Sequence, residues 1–507
     1  MIDFSALDPE TRRYATAGAV AATWLAFCGL IAGREALRGR AKRREAAALL
    51  SGAGEPVLVA FASQTGFAEE LAKATAKALT AGGAPVTLRE LSAVSAADLA
   101  GAGRALFVVS TTGEGDAPDP AGAFIRDVMT SEPDLSALRY GVLALGDTEY
   151  ANYCAFGRAL DAWLAKRGAA PLFDRVEVDD GDAAALRHWK SQLGVLTGAT
   201  DAPDWSRPAY DAWTLAERRL LNPSSPGGEA WHVRLEPVAH TATWEAGDII
   251  EIGPRNDPTE VSALIARLGL PASAAEALSS RRLPHEPAAV EALVGLSETA
   301  VLERLTALPH REYSIASLPR DGGVELIVRL MPRADGKPGL GSGWLCRYAA
   351  EGAVVQARVR TNRAFHAPEG DAPLVLIGAG TGLAGLRAHL KARAAAGRNR
   401  NWLLFGERTS AHDAFHQEEL AGWVLGGVLT RLDLAFSRDQ AERVYVQHRL
   451  REAASDIRAW AADGATILVC GSLEGMSREV HAALGEILGA EGLERLTDAG
   501  RYRRDVY

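Results

Sequence analysis

The stretch VLVAFASQTGFAEELAKATAKAL, residues 57–79, decides the fold of the first part of this chain. Residues 57–61 are apolar and predict a buried strand, and the second half of the stretch, rich in alanine and lysine, predicts a helix. A strand, a tight polar loop and a helix start point backbone N–H groups at an anion. No GK[ST] follows the loop, so it suits a small phosphate ester better than a nucleoside triphosphate.

Two further apolar segments, residues 105–110 and 140–145, run into unusual loops, TTGEGDAPDP and GDTEYANYC. In a doubly wound parallel sheet, loops at the carboxyl ends of the strands converge on one crevice, so all three loops can address one ligand. Gly113 and Gly115 allow the backbone to approach a flat ring closely, and Tyr150 or Tyr153 can stack on it. The alternative is that the glycines serve ordinary turns.

Together these segments resemble the FMN domain of flavodoxins and diflavin reductases, over residues 55–195. The resemblance implies that residues 63–68 hold the FMN phosphate and that residues 111–116 line the ring, although some relatives carry an aromatic residue where Thr112 stands. The implied FMN residues are Ser63, Gln64, Thr65, Gly66, Phe67, Ala68, Thr111, Thr112, Gly113, Glu114, Gly115, Leu145, Gly146, Asp147, Tyr150, Tyr153 and Cys154.

The middle of the chain begins with a linker rich in proline, glycine and serine, residues 201–230, and continues in short alternating segments that predict an antiparallel barrel. Residues 258–305 have a helical pattern and look like an insertion.

Arg311, in HREYSIAS, could form charge-assisted bonds to a pyrophosphate, with the amides near Ser342 on the other side. An ordinary strand with exposed polar groups is the alternative for the first motif. The pair resembles the FAD site of the ferredoxin-reductase superfamily, which implies FAD contacts from Arg311, Tyr313, Ser314, Gly341, Ser342, Gly343, Trp344 and Tyr507.

The last part contains APLVLIGAGTGLAGLRAHLKAR, residues 372–393, which predicts a strand, a glycine turn and a helix start. Its glycine spacing differs from the usual dinucleotide fingerprint. Farther on, Arg438 and Arg443 occur with nearby hydroxyl donors, which suits the 2′-phosphate of NADPH; a solvated basic face is the alternative. The predicted NADP residues are Gly380, Thr381, Gly382, Arg408, Ser437, Arg438, Arg443, Tyr445 and Gln447.

Cys470 ends another apolar strand, where a nicotinamide is expected, although a small buried hydrophobe is the commonest role of a free cysteine.

The segments NWLLFGER, GVLTRLDLAFSRDQ, RVYVQHRLRE and RYRRDVY resemble the flavoprotein subunit of bacterial sulfite reductase, and NADPH-cytochrome reductases share the layout. The resemblance covers about nine tenths of the chain. It implies a catalytic set of Ser314, Cys470, Asp505 and Tyr507, with Tyr507 as a lid over the FAD ring. Gly385 and Ser472 depart from the family, which commonly has proline and aspartate there.

Net charge and cysteine spacing argue against two kinds of ligand, nucleic acid and metal. The formal net charge of −9 over 507 residues argues against general affinity for nucleic acid. The four cysteines are far apart and none has a spacing that holds zinc or an iron–sulfur cluster, so no metal is expected; they are Cys28, Cys154, Cys346 and Cys470. Redox chemistry is therefore expected to use a bound organic cofactor.

Residues 14–33 form an uncharged run of 20, long enough as a helix to span a bilayer core of about 30 Å. Two arginines precede the run and six basic residues follow it closely, which favours a single-pass anchor with the large C-terminal part in the cytoplasm. A buried or surface helix and a secretion signal are the alternatives.

The predicted fold is α/β and multidomain: a flavodoxin-like doubly wound FMN domain, an antiparallel β-barrel FAD domain with a helical insertion, a ferredoxin-reductase-type NADP-binding α/β domain and an N-terminal transmembrane helix. The predicted boundaries are 1–50 for the anchor, 51–200 for FMN, 201–369 for FAD and 370–507 for NADPH.

NADPH gives a hydride while haem and iron–sulfur acceptors take single electrons, and two flavins resolve this mismatch. The predicted function is therefore a membrane-anchored NADPH diflavin reductase that serves a haem, iron–sulfur or ferric acceptor protein. Residues 51–200 hold 12 basic and 19 acidic residues, a net charge of −7, which suits a basic acceptor face. The alternatives are the flavoprotein subunit of sulfite reductase and a scaffold without turnover.

Overall fold

The computed structural model of the protein describes residues 56–148, 150, 152–197, 210–239, 242–333, 335–368 and 370–506. Within these residues the named strands form three separate sheets, of which the first and third are parallel and the second is antiparallel. An α/β multidomain architecture is thus confirmed. The domain boundaries at residues 50, 200 and 369 remain predictions.

The first sheet is parallel, with strand order β2-β1-β3-β4-β5 and with β6 also paired to β4. Leu58 and Ala60 face one apolar core, whereas Val57 and Val59 face the other, so this strand is buried on both sides as parallel strands usually are. Its elements are β1 (Val57–Ala62), α1 (Phe67–Ala81), β2 (Val86–Glu90), a 3₁₀ turn (Leu91–Ala93), α2 (Ala96–Gly101), β3 (Arg104–Ser110), a 3₁₀ turn (Asp119–Ala121), α3 (Gly122–Phe124), a π-helical turn (Ile125–Met129), β4 (Arg139–Gly146), α4 (Ala155–Lys166), β5 (Ala170–Pro171), β6 (Val176–Asp179) and α5 (Ala183–Thr197).

The second sheet has the order β10-β9-β12-β7-β8-β11. Ala316, just after β10, donates to the carbonyl of Glu325 on β11 at 2.8 Å, which draws the two outer strands together. Four helices between β9 and β10 enclose a small apolar core of their own. The elements are β7 (Asp211–Leu220), β8 (Ala230–Pro237), β9 (Ile249–Gly253), α6 (Pro258–Leu268), α7 (Ala274–Ser279), α8 (Pro287–Glu291), α9 (Glu298–Arg304), β10 (Arg311–Ser314), a 3₁₀ turn (Pro319–Asp321), β11 (Val324–Arg329), α10 (Leu340–Gly343), a π-helical turn (Trp344–Tyr348), β12 (Val354–Arg360) and a 3₁₀ turn (Arg363–Phe365).

The third sheet is parallel, with the order β15-β14-β13-β16-β17. The last described residues are therefore an edge strand and not a frayed tail: Tyr502 is buried, and Cys470 pairs with Asp505 in the register of β16 and β17. The elements are β13 (Leu374–Ala379), a 3₁₀ turn (Gly380–Gly382), α11 (Leu383–Ala395), β14 (Asn401–Glu407), α12 (Gln417–Leu425), β15 (Arg431–Phe436), α13 (Val446–Glu452), α14 (Ala454–Ala462), β16 (Thr466–Gly471), a π-helical turn (Leu473–Ser477), α15 (Arg478–Leu488), α16 (Ala490–Asp498) and β17 (Tyr502–Val506).

Among the described residues, no helix combines the length and the apolar character that a membrane crossing requires. The predicted anchor, residues 14–33, lies outside the described residues.

Candidate functional site

A cavity of about 1270 Å³ lies where the second and third sheets face each other. Tyr150, from the first sheet's side of the molecule, also lines it. The cavity therefore collects residues that the sequence assigned to three different cofactors. Those that line it are Tyr150, Arg311, Tyr313, Ser314, Gly341, Ser342, Gly380, Thr381, Arg408, Ser437, Arg438, Tyr445 and Gln447.

Ser314 on β10 lines this cavity and converges with Cys470 on β16 and Asp505 on β17, two buried residues that are not part of the lining. Ser314 Oγ donates to Asp505 Oδ2 at 2.5 Å, and Cys470 Sγ donates to the same oxygen at 3.6 Å. The Ser314 and Cys470 side chains lie 4.0 Å apart. Ser314 and Cys470 thus donate to the same carboxylate oxygen of Asp505, although Ser314 and Asp505 are 191 positions apart in the chain.

Burial governs the charge of this centre. It raises the pKa of the Asp505 carboxyl to about 6, against the lowering effect of the hydrogen bonds from Ser314 and Cys470. It also raises the pKa of the Cys470 thiol well above its usual range, so Cys470 is a neutral thiol. The centre therefore carries a single negative charge, on Asp505, at neutral pH.

Two glycines let the backbone approach the centre. A Cβ on Gly382 would overlap the carbonyl of Cys470. At Gly385, where the family commonly has proline, a Cβ would lie 3.3 Å from Cys470 Sγ and 3.6 Å from Ser314 Cβ. The glycine turn and the start of α11 are thereby packed directly against Ser314 and Cys470.

The predicted pyrophosphate site of FAD is also closely packed. A Cβ on Gly341 would lie 2.7 Å from Arg311 Cγ and would overlap the Tyr313 hydroxyl, so only glycine lets α10 approach β10 this closely. Ser342 Oγ accepts from the amide of Met331 at 3.2 Å. Gly343 and Trp344 are buried and do not line the cavity.

On the coenzyme side, backbone hydrogen bonds join the ends of β14 and β15. The amide of Ser437 donates to the carbonyl of Glu407 at 2.9 Å, and that of Arg438 donates to the carbonyl of Arg408 at 2.7 Å. These bonds place two arginines at one edge of the cavity, where they suit a 2′-phosphate. Arg443 is exposed and lies away from the cavity lining.

In the predicted FMN phosphate loop, residues 63–68, the side chain of Ser63 accepts hydrogen bonds from backbone amides farther along the loop. Ser63 Oγ accepts from the amides of Gly66 at 2.9 Å and Ala68 at 3.2 Å. Gly66 has a φ of 91°, which favours glycine. These amides at the start of α1 are the donors that a phosphate would take over.

The neighbouring ring loop is held by backbone turns. The amide of Thr112 donates to the carbonyl of Asp116 at 2.8 Å, and Asn152 Nδ2 donates to the carbonyl of Glu114 at 2.6 Å. Thr111 Oγ1 is buried and has no hydrogen-bond partner within the described part of the chain, so it fits a polar ligand atom at this loop.

The two candidate stacking tyrosines differ in environment. Tyr150 is 45% exposed and faces the cavity, whereas Tyr153 packs beside Gly146 with Arg158 over its ring at 5.6 Å. The strand end that carries the remaining FMN candidates, Leu145, Gly146, Asp147 and Cys154, lies next to the ring loop, because Thr111 donates from its amide to the carbonyl of Leu145 at 2.9 Å.

A contact that the sequence reasoning missed links this lobe to β17. Gln64 accepts from the amide of Asp119 at 2.9 Å and donates through Nε2 to the carbonyl of Arg504 at 2.7 Å. Arg504 Nε donates to Asp119 Oδ2 at 2.9 Å. Because side chains alternate along a strand, the Arg504 side chain reaches Asp119 while the Asp505 side chain reaches Ser314; the phosphate loop is contacted by the Arg504 carbonyl. One strand therefore touches both predicted flavin sites.

Glu251, His310 and Glu312 bring their ligand atoms within 4.8 Å of one another, a geometry that could hold a metal ion. However, Arg358 donates to Glu251 at 2.7 Å and Arg360 pairs with Glu312. Because two guanidinium groups already neutralise these carboxylates, the cluster is a network of ion pairs, and a cation would gain little there.

Comparisons with known proteins identify the family of the chain. Residues 59–189 match the flavodoxin family, and residues 376–482 match the oxidoreductase NAD-binding domain family. The sulfite reductase [NADPH] flavoprotein alpha-component of Vibrio cholerae is 32% identical over 90% of this chain and 88% of its own length. The alpha-component of Neisseria meningitidis serogroup C is 31% identical over 89% of each chain. That of Aliivibrio fischeri is 30% identical over 91% of each.

The chain belongs to the diflavin reductase family, with the flavoprotein alpha-components of NADPH sulfite reductase among its relatives. It is an NADPH-dependent flavoprotein oxidoreductase, and its cofactors are FMN, FAD and NADPH. The alternative of a scaffold without turnover is set aside.

The predicted localisation, a single-pass membrane protein, is wrong. Relatives that match nine tenths of the chain are flavoprotein components of sulfite reductase. The prediction rested on the length of the uncharged run at residues 14–33 and on the basic residues on both sides of it. Alanine and glycine make up much of that run, and they contribute little to the free energy of transfer into lipid. The length of the run therefore overstated its affinity for a bilayer.

Tyr507 lies outside the described residues, and its function as a lid remains a prediction.

Proposed function

We propose that the cavity binds FAD and NADPH side by side and that Ser314, Cys470 and Asp505 form the hydride-transfer site between them. The observation that carries the proposal is the single oxygen of Asp505 that accepts from both Ser314 and Cys470. The two flavins, when bound, turn a two-electron hydride into single electrons.

Each residue of the site has a separate task. Asp505 holds a negative charge that stabilises the positive charge a nicotinamide gains as it gives up hydride. Ser314 fixes that carboxylate by its hydrogen bond at 2.5 Å and presents its hydroxyl to the cavity. Cys470, neutral and small, packs beneath them and leaves room for a planar ring.

The coenzyme and flavin phosphates would be held by separate groups. Ser437, Arg438 and Gln447 would bind the 2′-phosphate, and Arg311 with the amides near Ser342 would bind the FAD pyrophosphate. The residue 63–68 loop would bind the FMN phosphate through its amides.

Electrons would leave through the FMN lobe to a haem or iron–sulfur partner protein. The relatives are components of sulfite reductase by name, which supports a sulfite-reducing partner as the acceptor. The net charge of −7 over residues 51–200 supports docking on a basic face of that partner.

The test uses the purified full chain. Extracted flavins should contain FMN and FAD in equal amounts, and the protein should oxidise NADPH with ferricyanide as an artificial acceptor. Sulfide should form from sulfite only when the sulfite-reducing protein of the same organism is added with it. Ferricyanide reduction without any sulfide, together with another haem protein that takes the electrons, would assign a different acceptor.

A further inference from the structure

The predicted FMN phosphate loop, residues 63–68, contains no lysine or arginine. A phosphate monoester carries a charge of about −1.5 to −2 at pH 7, whereas the amides at a helix start offer only partial positive charge. The first turn of α1 adds two carboxylates, Glu69 and Glu70. The loop itself therefore offers hydroxyl and amide donors but no full positive charge.

The end of strand β12 lies against this loop. A Cβ on Gly66 would overlap the carbonyl of Thr361, the residue directly after the strand. The guanidinium of Arg360, the last residue of β12, lies 5.7 Å from the centre of the Phe67 ring. A cationic side chain of the second sheet thus stands beside the loop that lacks one.

Alternate residues at this strand end carry buried polar atoms without a hydrogen-bond partner among the residues that the structure describes. These atoms are Nε of Arg358, Nε and Nη1 of Arg360, and Nδ2 and Oδ1 of Asn362. The side chain of Arg360 is 0% exposed, and Asn362 is also fully buried. Four of the five atoms are donors. Because buried donors are normally paired, this row indicates a place for an acceptor.

Arg360 can accept a further partner without losing the one that it has. Its Nη2 pairs with Glu312, while its Nε lies 3.8 Å from Glu251 Oε2, which is too far for a hydrogen bond. A guanidinium has five N–H donors in a fixed fork, so Nη1 and Nε are available to an anion on the side of the loop.

Glu312 holds this guanidinium in place. Burial would raise the pKa of the Glu312 carboxyl, but Arg360, His310 and a hydrogen bond from Thr65 bring that pKa down to about 2. His310 Nε2 lies 3.5 Å from Glu312 Oε1, so the carboxylate keeps a second partner when Arg360 also faces a phosphate. Glu312 is thus an anion that fixes Arg360 next to Thr65 of the loop.

The carboxylates in the first turn of α1 have cations of their own. Glu69 accepts from Lys73 Nζ at 2.5 Å, and Glu70 accepts from Arg358 at 3.2 Å. A phosphate at the loop would therefore not compete with them for Arg360.

We infer that Arg360 supplies the positive charge of the FMN phosphate site from the second sheet, and that Glu312 positions its guanidinium there. The inference rests on the proposed function, in which the loop at residues 63–68 binds the FMN phosphate. It divides that site between two parts of the molecule, since the loop provides amides and hydroxyls and β12 provides the charge.

Fluorescence titrations of the FMN-depleted full chain with FMN and with riboflavin test the inference. Riboflavin has the same ring and ribityl chain as FMN but no phosphate. In Arg360→Gln we expect FMN to bind about tenfold more weakly, while riboflavin affinity stays within about twofold. The FAD content should remain that of the unaltered protein, which shows that the second sheet is still folded.

A matched control is Arg363→Gln. Arg363 follows Arg360 by three residues and also faces a carboxylate of α1, Glu69 at 3.4 Å, but its side chain is 68% exposed and solvent screens its charge. Both ligands should bind to this variant as they do to the unaltered protein. A loss of FMN affinity as large as that in Arg360→Gln would show a general effect of charge and would overturn the inference.

Variants of Glu312 separate a direct contact from an indirect one. Glu312→Gln removes a negative charge beside the loop and should bind FMN at least as tightly as the unaltered protein. The double variant Arg360→Gln/Glu312→Gln leaves no unpaired carboxylate, yet it should still bind FMN more weakly because the phosphate has lost its cation. Normal FMN affinity in the double variant would mean that Arg360 only neutralises Glu312, against the inference.

The two ligands also distinguish a failure of the inference from a failure of the proposed function. If Arg360→Gln keeps the full preference for FMN over riboflavin, the inference is wrong and the loop alone binds the phosphate. If the unaltered protein binds FMN no more tightly than riboflavin, the phosphate loop itself is wrongly assigned.

Discussion

The loop at residues 63–68 and the Ser314 centre both depend on a serine hydroxyl, yet they are assembled in opposite ways. Ser63 accepts from amides three and five residues along the chain, whereas Ser314 donates to Asp505, 191 residues away. The first set of bonds needs only one strand and one helix start. The second exists only because two sheets pack together. Damage to the loop should therefore remove one cofactor, while damage to the centre should stop one reaction step.

The largest effect is expected from Asp505→Asn. Asparagine keeps an oxygen that accepts from Ser314 but removes the negative charge, so the reduction of FAD by NADPH should slow about 100-fold. The loss of flavin absorbance in a stopped-flow instrument measures this rate. FMN and FAD contents should remain those of the unaltered protein, and a rate within about threefold of normal would exclude an electrostatic function for Asp505.

Ser63→Ala should have an intermediate effect. The variant loses the hydroxyl that organises the amides of Gly66 and Ala68, so FMN should bind about tenfold more weakly while FAD is retained. The FMN-to-FAD ratio after gel filtration measures the difference. Ser95→Ala is the matched control, because Ser95 also accepts from a backbone amide, that of Asp98, but at the start of α2. Loss of both flavins from Ser63→Ala would contradict the claim that Ser63 supports only the binding of FMN.

The smallest effect is expected at the contact that joins the two sites. Arg504→Ala and Asp119→Ala should each slow electron delivery to cytochrome c about threefold, with FAD reduction by NADPH unchanged. The double variant should be no slower than either single one, because the two residues form one contact. Glu494→Ala removes a more exposed pair between the same two parts of the molecule, Glu494 with Arg126 at 2.7 Å, and should change nothing. Additive losses in the double variant would show that the pair does not act as a unit.

The contrast between a site built from neighbouring residues and a site built from distant strands explains what the sequence could predict. Strand, loop and helix patterns at residues 57–79 and 372–393 specify the parallel sheets and their glycine turns, because those features depend on neighbouring residues. Ser314, Cys470 and Asp505 were related to one another only by resemblance to a family, since no local pattern connects three strands so far apart.

Two other contacts between parts of the molecule were missed. Arg329 and Glu407 form an ion pair. Each ends a buried strand, VELIVR and NWLLFGE, and a charge at the last position of an apolar run was the one signal available. Neither run indicates the other, because their meeting depends on how the second and third sheets pack. Asp119 and Arg504 were missed for the same reason.

The pH dependence of FAD reduction tests the central claim, that Asp505 is the charged group of the hydride-transfer site. Because burial raises the pKa of Asp505 to about 6, its carboxylate forms only as the pH rises through that value, and the rate should rise with it. The contribution of Asp505 to folding stability should change in the opposite direction. It is fully present below the ordinary pKa of 3.8 and is lost as the pH rises through about 6.

The decisive measurement is the stopped-flow rate of FAD reduction at saturating NADPH, taken across this pH range for the unaltered protein and for Asp505→Asn. We predict a rise in rate centred near pH 6 in the unaltered protein and a flat, slow profile in the variant. The same rise in Asp505→Asn, or a rate that falls as the pH increases through this range in the unaltered protein, would contradict the account.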